Sequence, residues 1–155
     1  FTEAQDPETL SRYNEEEAQF LIRQVEKLIL HFGVENWNFS MGIITPYSAQ
    51  VERLIKLAEA SEELSALASF ITINTVDAFQ GQERDVIAIS LVRSNEKSEV
   101  GFLGDIRRIN VAMTRARKKL IMAGDSATLG THPFYLELLS YVQTKGFYKS
   151  AYELM

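Results

Sequence analysis

Cysteine is absent from this 155-residue chain, and histidine occurs only twice. The first absence excludes a disulfide framework and thiolate metal sites, and fits a reducing cytoplasmic or other intracellular compartment. His31 and His132 lie far apart in sequence, so no metal site is expected and both read as ordinary structural histidines. No apolar run approaches the roughly twenty residues that span a bilayer, and no secretory signal opens the chain, so no membrane partner is expected. An overall excess of positive charge is also missing: the formal net charge is −5. No internal repeat or low-complexity tract is found. The chain opens on Phe1-Thr2-Glu3 and is expected to be a piece of a longer protein.

What is present is a globular composition, with 46% hydrophobic residues, enough for one domain with a sizeable core. The charge is unevenly placed. Residues 105–119 hold six basic side chains against one acidic, while the rest of the chain is acidic. A local patch of this kind can hold phosphate even where the whole molecule does not attract a polyanion over long range. Within it, 106–117 reads Ile-Arg-Arg-Ile-Asn-Val-Ala-Met-Thr-Arg-Ala-Arg. At 3.6 residues per turn Ile106, Ile109, Met113 and Ala116 form an apolar stripe, with Arg108, Ala112 and Arg115 on another side. The spacing predicts one helix over 106–117, packed on a sheet and followed by a strand at 120–123.

In chain order, residues 1–10 read as a short edge strand and loop broken at Pro7. Asn14 is a good helix N-cap, with Glu15, Glu16 and Glu17 at the positive end of the helix dipole. Ala18, Leu21, Ile22, Val25, Leu28 and Ile29 supply a helical stripe ending near Gly33. A buried strand at 41–45 runs into Thr45-Pro46-Tyr47, followed by a helix at 49–60. A strand at 70–75 leads into Val76-Asp77-Ala78-Phe79-Gln80-Gly81-Gln82-Glu83. The run 85–92 is almost continuously apolar, as a central parallel strand covered on both faces must be, and it ends in Arg93-Ser94-Asn95. Asp125 follows a hydrophobic strand but lacks the second acid of a Walker B pair, and is read as a helix cap. Pro133 opens a helix over 134–143 closed by Gly146, with Tyr135, Leu138, Leu139 and Val142 directed to the core. Strands alternating with helices predict an α/β fold with a mainly parallel sheet, in which Thr45, Thr75, Arg93 and the arginine helix converge on one edge.

Three of these segments carry a resemblance. Arg-Arg-x-Asn-Val-Ala-x-Thr-Arg-Ala-Arg resembles the last conserved motif of superfamily 1 helicases, in the branch of the nonsense-mediated-decay helicase and senataxin. Val-Asp-Ala-Phe-Gln-Gly-x-Glu resembles the fifth motif of the same branch. Thr-Pro-Tyr, after Gly-Ile-Ile and ahead of Gln50, stands where that branch has it. The resemblance covers about 42–125 and implies the second, RecA-like domain of such an enzyme, a three-layer fold related to P-loop NTPases.

It implies ATP with magnesium as cofactor, single-stranded DNA or RNA as track, and the first RecA-like domain of the same chain as partner. Arg115 would be the catalytic arginine finger, and Gly81 and Glu83 would lie with it on the nucleotide. Thr45, Pro46, Tyr47, Gln50 and Thr75 would face the single strand, and Asp77, Gln80, Arg93, Arg108 and Asn110 would couple the two sites. The chain has no Gly-x4-Gly-Lys-Ser/Thr loop and no Asp-Glu pair after a strand, so the triphosphate cradle and the magnesium ligands belong to the missing first domain. By itself this piece is expected to be inactive. The alternative is a non-catalytic nucleotide- or partner-binding α/β module derived from a helicase domain.

Overall fold

The computed structural model describes residues 1–79 and 81–154. The main sheet has four strands, all parallel, in the order β4 (Ile71–Thr75), β3 (Met41–Thr45), β5 (Arg84–Ser90), β6 (Ala116–Ala123). Ahead of it, β1 (Ala4–Gln5) and β2 (Arg12–Tyr13) form a small antiparallel hairpin. The α/β expectation holds, and the three-layer arrangement is that of a RecA-like fold.

One face of the sheet is covered by α1 (Glu15–Phe32), α2 (Ser48–Ala60) and α3 (Glu62–Ala66). Leu21, Val25 and Ile29 of α1 and Leu54 of α2 pack there on Met41, Ile43, Val86 and Ala88. The other face holds Ile44, Ile87 and Ile89 against Phe79, Leu103, Ile109, Leu129 and Tyr135. That layer comprises α4 (Ile106–Met113), α5 (Ser126–Leu129), α6 (Pro133–Lys145) and two 3₁₀ turns, Asp77–Phe79 and Gly101–Gly104. Residues Ala151–Leu154 form a last short helix, α7. The central strands are buried on both sides, as their unbroken apolar runs demand, whereas the edge strand β4 alternates half-buried and exposed residues.

The helix signals in the sequence act as read. Asn14 accepts the Glu17 N–H at 3.1 Å, and Gly33, at φ 85°, ends α1 in a conformation that L residues avoid. Asp125 caps α5 through the Ala127 N–H, and Pro133 opens α6. In α6 only Tyr135 is fully buried, while Leu138, Leu139 and Val142 are half-buried.

The arginine segment departs from expectation. Helix α4 stops at Met113, and β6 begins at Ala116, four residues earlier than the apolar run at 120–123 suggests. Two forces end the helix. The Thr114 hydroxyl and the Arg115 Nε–H both donate to the Val111 carbonyl, satisfying a last-turn acceptor. Ala116 is meanwhile taken into register with Arg84 of β5. The core side of α4 is Ile109 and Ala112 with Ile106 and Met113, so Ala112 joins the apolar stripe, while Ala116 packs on the same cluster from β6 and not from the helix.

The chain leaves the sheet after β4 and re-enters it at β5, on the far side of β3. Phe79 lies directly over Gly42, where an added Cβ would come within 2.7 Å of its ring and 2.9 Å of Ile87. A glycine in β3 is therefore what lets so short a crossover pass. Gly42→Ala is expected to destabilise the fold by about 1–3 kcal/mol through overpacking. Gly104→Ala, where the new Cβ meets nothing nearer than 3.8 Å, serves as the control in urea unfolding.

Candidate functional site

The expected site residues divide between two opposite edges of the sheet. Thr45, Thr75 and Arg93 stand at the carboxyl ends of β3, β4 and β5. Arg115 stands at the amino end of β6, where its carbonyl accepts the Arg84 N–H at 3.0 Å. The expectation of a single edge fails because a crossover helix runs back against its strands. Helix α4 starts beside Asp77 at the carboxyl edge and delivers Arg115 to the amino edge.

At the amino edge Arg115 meets the segment carrying Gly81 and Glu83, which immediately precedes β5. Gly81 has φ 73°, and nothing lies within 4 Å of the position of an added Cβ. Glu83 is exposed. The Arg115 side chain is half-buried and held by Nε–H to Val111 O (3.1 Å) and Nη2–H to Thr114 Oγ1 (3.4 Å). Among the described residues it makes no ion pair. Arg117 leaves the helix altogether: on β6 it pairs with Asp85 at 3.2 Å. The Asp85 carboxyl is held below its ordinary range by the Ser40 N–H and then by Arg117.

At the carboxyl edge an open groove of about 640 Å³ is lined by the β1–β2 turn, Pro46, Tyr47, Thr75, Asp77, Arg93 and Phe102. Pro46 and Thr75 are half-buried on its surface. Thr45 is fully buried, with its hydroxyl turned to the Tyr47 N–H. Arg108 reaches Asp77 (3.6 Å) and Asp105 (3.3 Å), so two residues expected to act together do lie together. Asn110 is exposed on α4. Gln80 lies outside the described residues.

Gln50, expected to face nucleic acid, is instead spent in the interior. Its amide pairs with both backbone groups of Asn14, accepting the N–H at 2.9 Å and donating to the carbonyl at 3.0 Å. It also donates to Ser90 Oγ at 2.9 Å. The Ser90 hydroxyl in turn donates to Glu17 (2.6 Å), and the same carboxylate oxygen accepts the Val92 N–H (2.8 Å). Asn14 Nδ2 donates to the Val92 carbonyl at 3.1 Å. Val92 thus has both backbone groups clamped, and sits at φ 71°, rare for a β-branched residue. The Arg93 N–H closes a γ-turn onto Leu91 O at 2.8 Å.

This turn seats Arg93, whose side chain is only 6% exposed, on Glu3 at 2.9 Å with Tyr47 Oη at 3.5 Å. Burial alone would push the Glu3 carboxyl up. Hydrogen bonds from Arg93, Asn95 and Ser94 outweigh that and hold it below its ordinary range. Glu3, Glu17 and Phe102 were not singled out as site residues on sequence. The first two read as loop and helix-dipole acids, and only their burial distinguishes them. Phe102 had a signal, an aromatic between Gly101 and Gly104 in a loop.

Comparison with known proteins identifies the family. The family described as an AAA domain matches residues 2–127. The chain belongs to the senataxin-like branch of superfamily 1 helicases. Helicase sen1 of Schizosaccharomyces pombe is 41% identical over 131 residues, covering 84% of this chain and 8% of that protein. DNA polymerase alpha-associated DNA helicase A of Saccharomyces cerevisiae is 47% identical over 131 residues, covering 83% of the chain and 18% of the relative. DNA-binding protein SMUBP-2 of Rattus norvegicus is 34% identical over 153 residues, or 99% of the chain and 15% of the relative. The chain thus spans less than a fifth of the length of these relatives. Among the described residues no helix is long and apolar enough to cross a membrane.

Glu17 makes the carboxyl edge sensitive to pH. Burial raises its carboxyl from 4.5 to about 7, the hydrogen bonds from Ser90, Val92 and Leu91 offset part of that, and the Asp125 charge adds to it. Because the folded value is raised, the stabilisation is complete below pH 4.5 and is lost as pH rises through about 7. Glu17→Gln removes this titration. Wild-type stability relative to the variant should fall by on the order of 3 kcal/mol over that window, at roughly 1.4 kcal/mol per unit, read from denaturant unfolding at a series of pH values.

Proposed function

We propose that this chain is the second RecA-like motor domain of an ATP-driven superfamily 1 helicase or translocase. Its amino edge supplies half of a nucleotide site, and its carboxyl edge carries part of a single-strand track. The observation that carries the reading is Arg115 itself: a guanidinium with no carboxylate partner among the described residues, on a strand end whose backbone carbonyl takes the N–H of Arg84, the residue that follows the exposed Glu83 and the open Gly81 segment. A positive side chain left free at an edge with room for a ligand suits an anionic group brought by another domain. The family of helicases to which the chain belongs supports nucleotide as that ligand.

The residues present fit half of such a site. Gly81 leaves the backbone accessible, Glu83 offers a carboxylate to sugar hydroxyls, and Arg115 offers its fork to terminal phosphate oxygens. Bound ATP would supply the phosphoryl group to be transferred, with magnesium held by the first motor domain. Among the described residues no group of three or more His, Asp or Glu side chains can hold a metal ion. Arg115 contributes by orientation and charge: a positioned guanidinium stabilises the charge spread over equatorial oxygens more than it stabilises the ground state. Its bonds to Val111 and Thr114 hold the fork in place ahead of binding, so little reorganisation is required.

On the carboxyl edge Pro46, Tyr47 and Thr75 line the track. Thr45 and Gln50 shape it from within, since both are buried. Asp77 and Arg93 line the groove, and Asp77 meets Arg108 at the start of α4, which runs to Arg115. An arginine finger is worth on the order of 10³–10⁵ in turnover. In the full-length protein Arg115→Lys, which keeps the charge but loses the fork, should reduce single-strand-stimulated ATPase severely while nucleotide affinity changes little. Arg117→Lys should lose at most about fivefold, since its partially exposed pair with Asp85 is worth about 0–1 kcal/mol. Steady-state ATPase with both variants checks this, and near wild-type turnover by Arg115→Lys would refute the role. The isolated chain, lacking a phosphate-cradling loop, should hydrolyse ATP no faster than a buffer blank. Turnover that Arg115→Ala abolishes would refute the half-site.

A further inference from the structure

The carboxyl-edge groove combines two features that its role as a phosphate track does not explain. Its cations are already neutralised. Arg12 and Arg93 share Glu3, at 3.2 and 2.9 Å, Arg93 also pairs with Glu99 at 3.9 Å, and Arg108, beside Asp77, pairs with Asp77 and Asp105. Its lining also includes two large apolar side chains left in water, Phe102 at 59% and Leu10 at 65% exposure. A single exposed apolar residue is ordinary. Two that line one groove, in backbone positions held by other parts of the site, are not.

Phe102 is held from below. Its ring rests on Tyr47 with centroids 5.7 Å apart, tilted by 53°, so one side is supported and the remainder faces the groove. Gly101 before it has φ 53°, and an added Cβ there would fall 2.0 Å from Arg93 Nη1. The loop is therefore pressed onto the buried arginine and cannot lift without exposing it. Leu10 has φ 60°, uncommon for a side chain of its size. Its turn is fixed by Leu10 N–H to Asp6 O (2.9 Å), by Gln5 Nε2–H to Leu10 O (2.8 Å), and by Ser11 Oγ accepting the Ala49 N–H at 3.1 Å. Ordered, supported and wet, these apolar surfaces suit a flat uncharged partner more than a phosphate.

We infer that Phe102, with Leu10 lining the same groove, is a stacking platform for an unpaired base of the single strand. The inference rests on the proposed role of this edge as a nucleic-acid track, and names what is bound there: a heterocycle, with the phosphates left to the neighbouring hydroxyls and backbone. Every base has a π-face, so the contact is tolerant of sequence and shared by DNA and RNA. It adds no ion pair and therefore releases no counterion.

The test is equilibrium binding of the full-length protein, without nucleotide, to labelled oligothymidylate and oligouridylate over a range of salt. A third probe is a strand of equal length with tetrahydrofuran spacers in place of nucleosides. Phe102→Ala should weaken binding to both base-bearing strands by roughly five- to hundredfold, with the slope of log affinity against log salt unchanged. Phe102→Trp should retain or improve binding. On the spacer strand, Phe102→Ala and wild type should bind alike. Equal losses on spacer and base-bearing strands, or a changed salt slope, would overturn the stacking role in favour of a backbone contact. A loss confined to oligouridylate or to oligothymidylate would overturn its tolerance of both base and sugar. Thr75→Glu separates this inference from the reading beneath it. A carboxylate there should sharply reduce binding of any strand in the groove. If Thr75→Glu binds as wild type, the edge is not the track and both fall. If Thr75→Glu is crippled while Phe102→Ala is not, only the stacking platform falls.

Discussion

The buried hydrogen bonds joining Asn14, Glu17, Gln50 and Ser90 are the constraint on which the carboxyl edge depends. Polar groups at this depth are costly unless each finds a partner, and here each member does. Among the described residues no buried side-chain nitrogen or oxygen lacks a hydrogen bond. The network ties the start of α1, the start of α2 and the end of β5 to one another. It also grips Val92 from both sides and so holds the positive-φ turn that aims Arg93. From Arg93 the order passes outward through contacts, to Glu3 just ahead of the first strand, to Tyr47, and to Gly101 and the loop that bears Phe102. An exposed groove is thereby built on a fully satisfied polar interior rather than on loop chemistry of its own.

The second constraint is directional. In a parallel sheet the connecting helices must return against the strands, so one helix has its ends at opposite edges. Helix α4 is eight residues long, about 12 Å at 1.5 Å per residue. Arg108 near its start touches Asp77 beside the groove, and Arg115 just past its end accepts the N–H of Arg84, the residue after Glu83. Under the proposed reading, one short rigid element touches both the track and the nucleotide half-site. The connection from β4 to β5 does the same by another route, with Asp77 near the carboxyl edge of β4 and Gly81 and Glu83 just ahead of the amino end of β5. A shift of either element against the sheet would be felt at both edges, which is the physical requirement for coupling.

Much of this was legible in the residues alone. The unbroken apolar runs of β3 and β5 identify central strands, because only a strand covered on both faces has no polar side to show. Asn14, Gly33, Asp125 and Pro133 mark helix ends because capping is local: it needs a side chain and a backbone group only two or three residues apart, or a φ only glycine takes easily. The motifs around Thr45, Gly81 and Arg115 declare the family for a different reason, since their order and spacing record a resemblance and not a local energy.

What the tertiary structure alone decided are the contacts between residues distant in sequence. Nothing within a few residues of Gln50 says that its amide will close on Asn14, 36 positions away, nor that Glu17 belongs inside while Glu15 and Glu16 remain in water. The end of α4 is of the same kind. Helical periodicity continues through Ala116, but strand pairing with Arg84 wins, and that partner is visible only once the sheet is assembled. The division of the site into two edges follows from the chain's path across the sheet. Local chemistry therefore determined which elements form, and long-range hydrogen bonding and packing determined where each functional side chain stands.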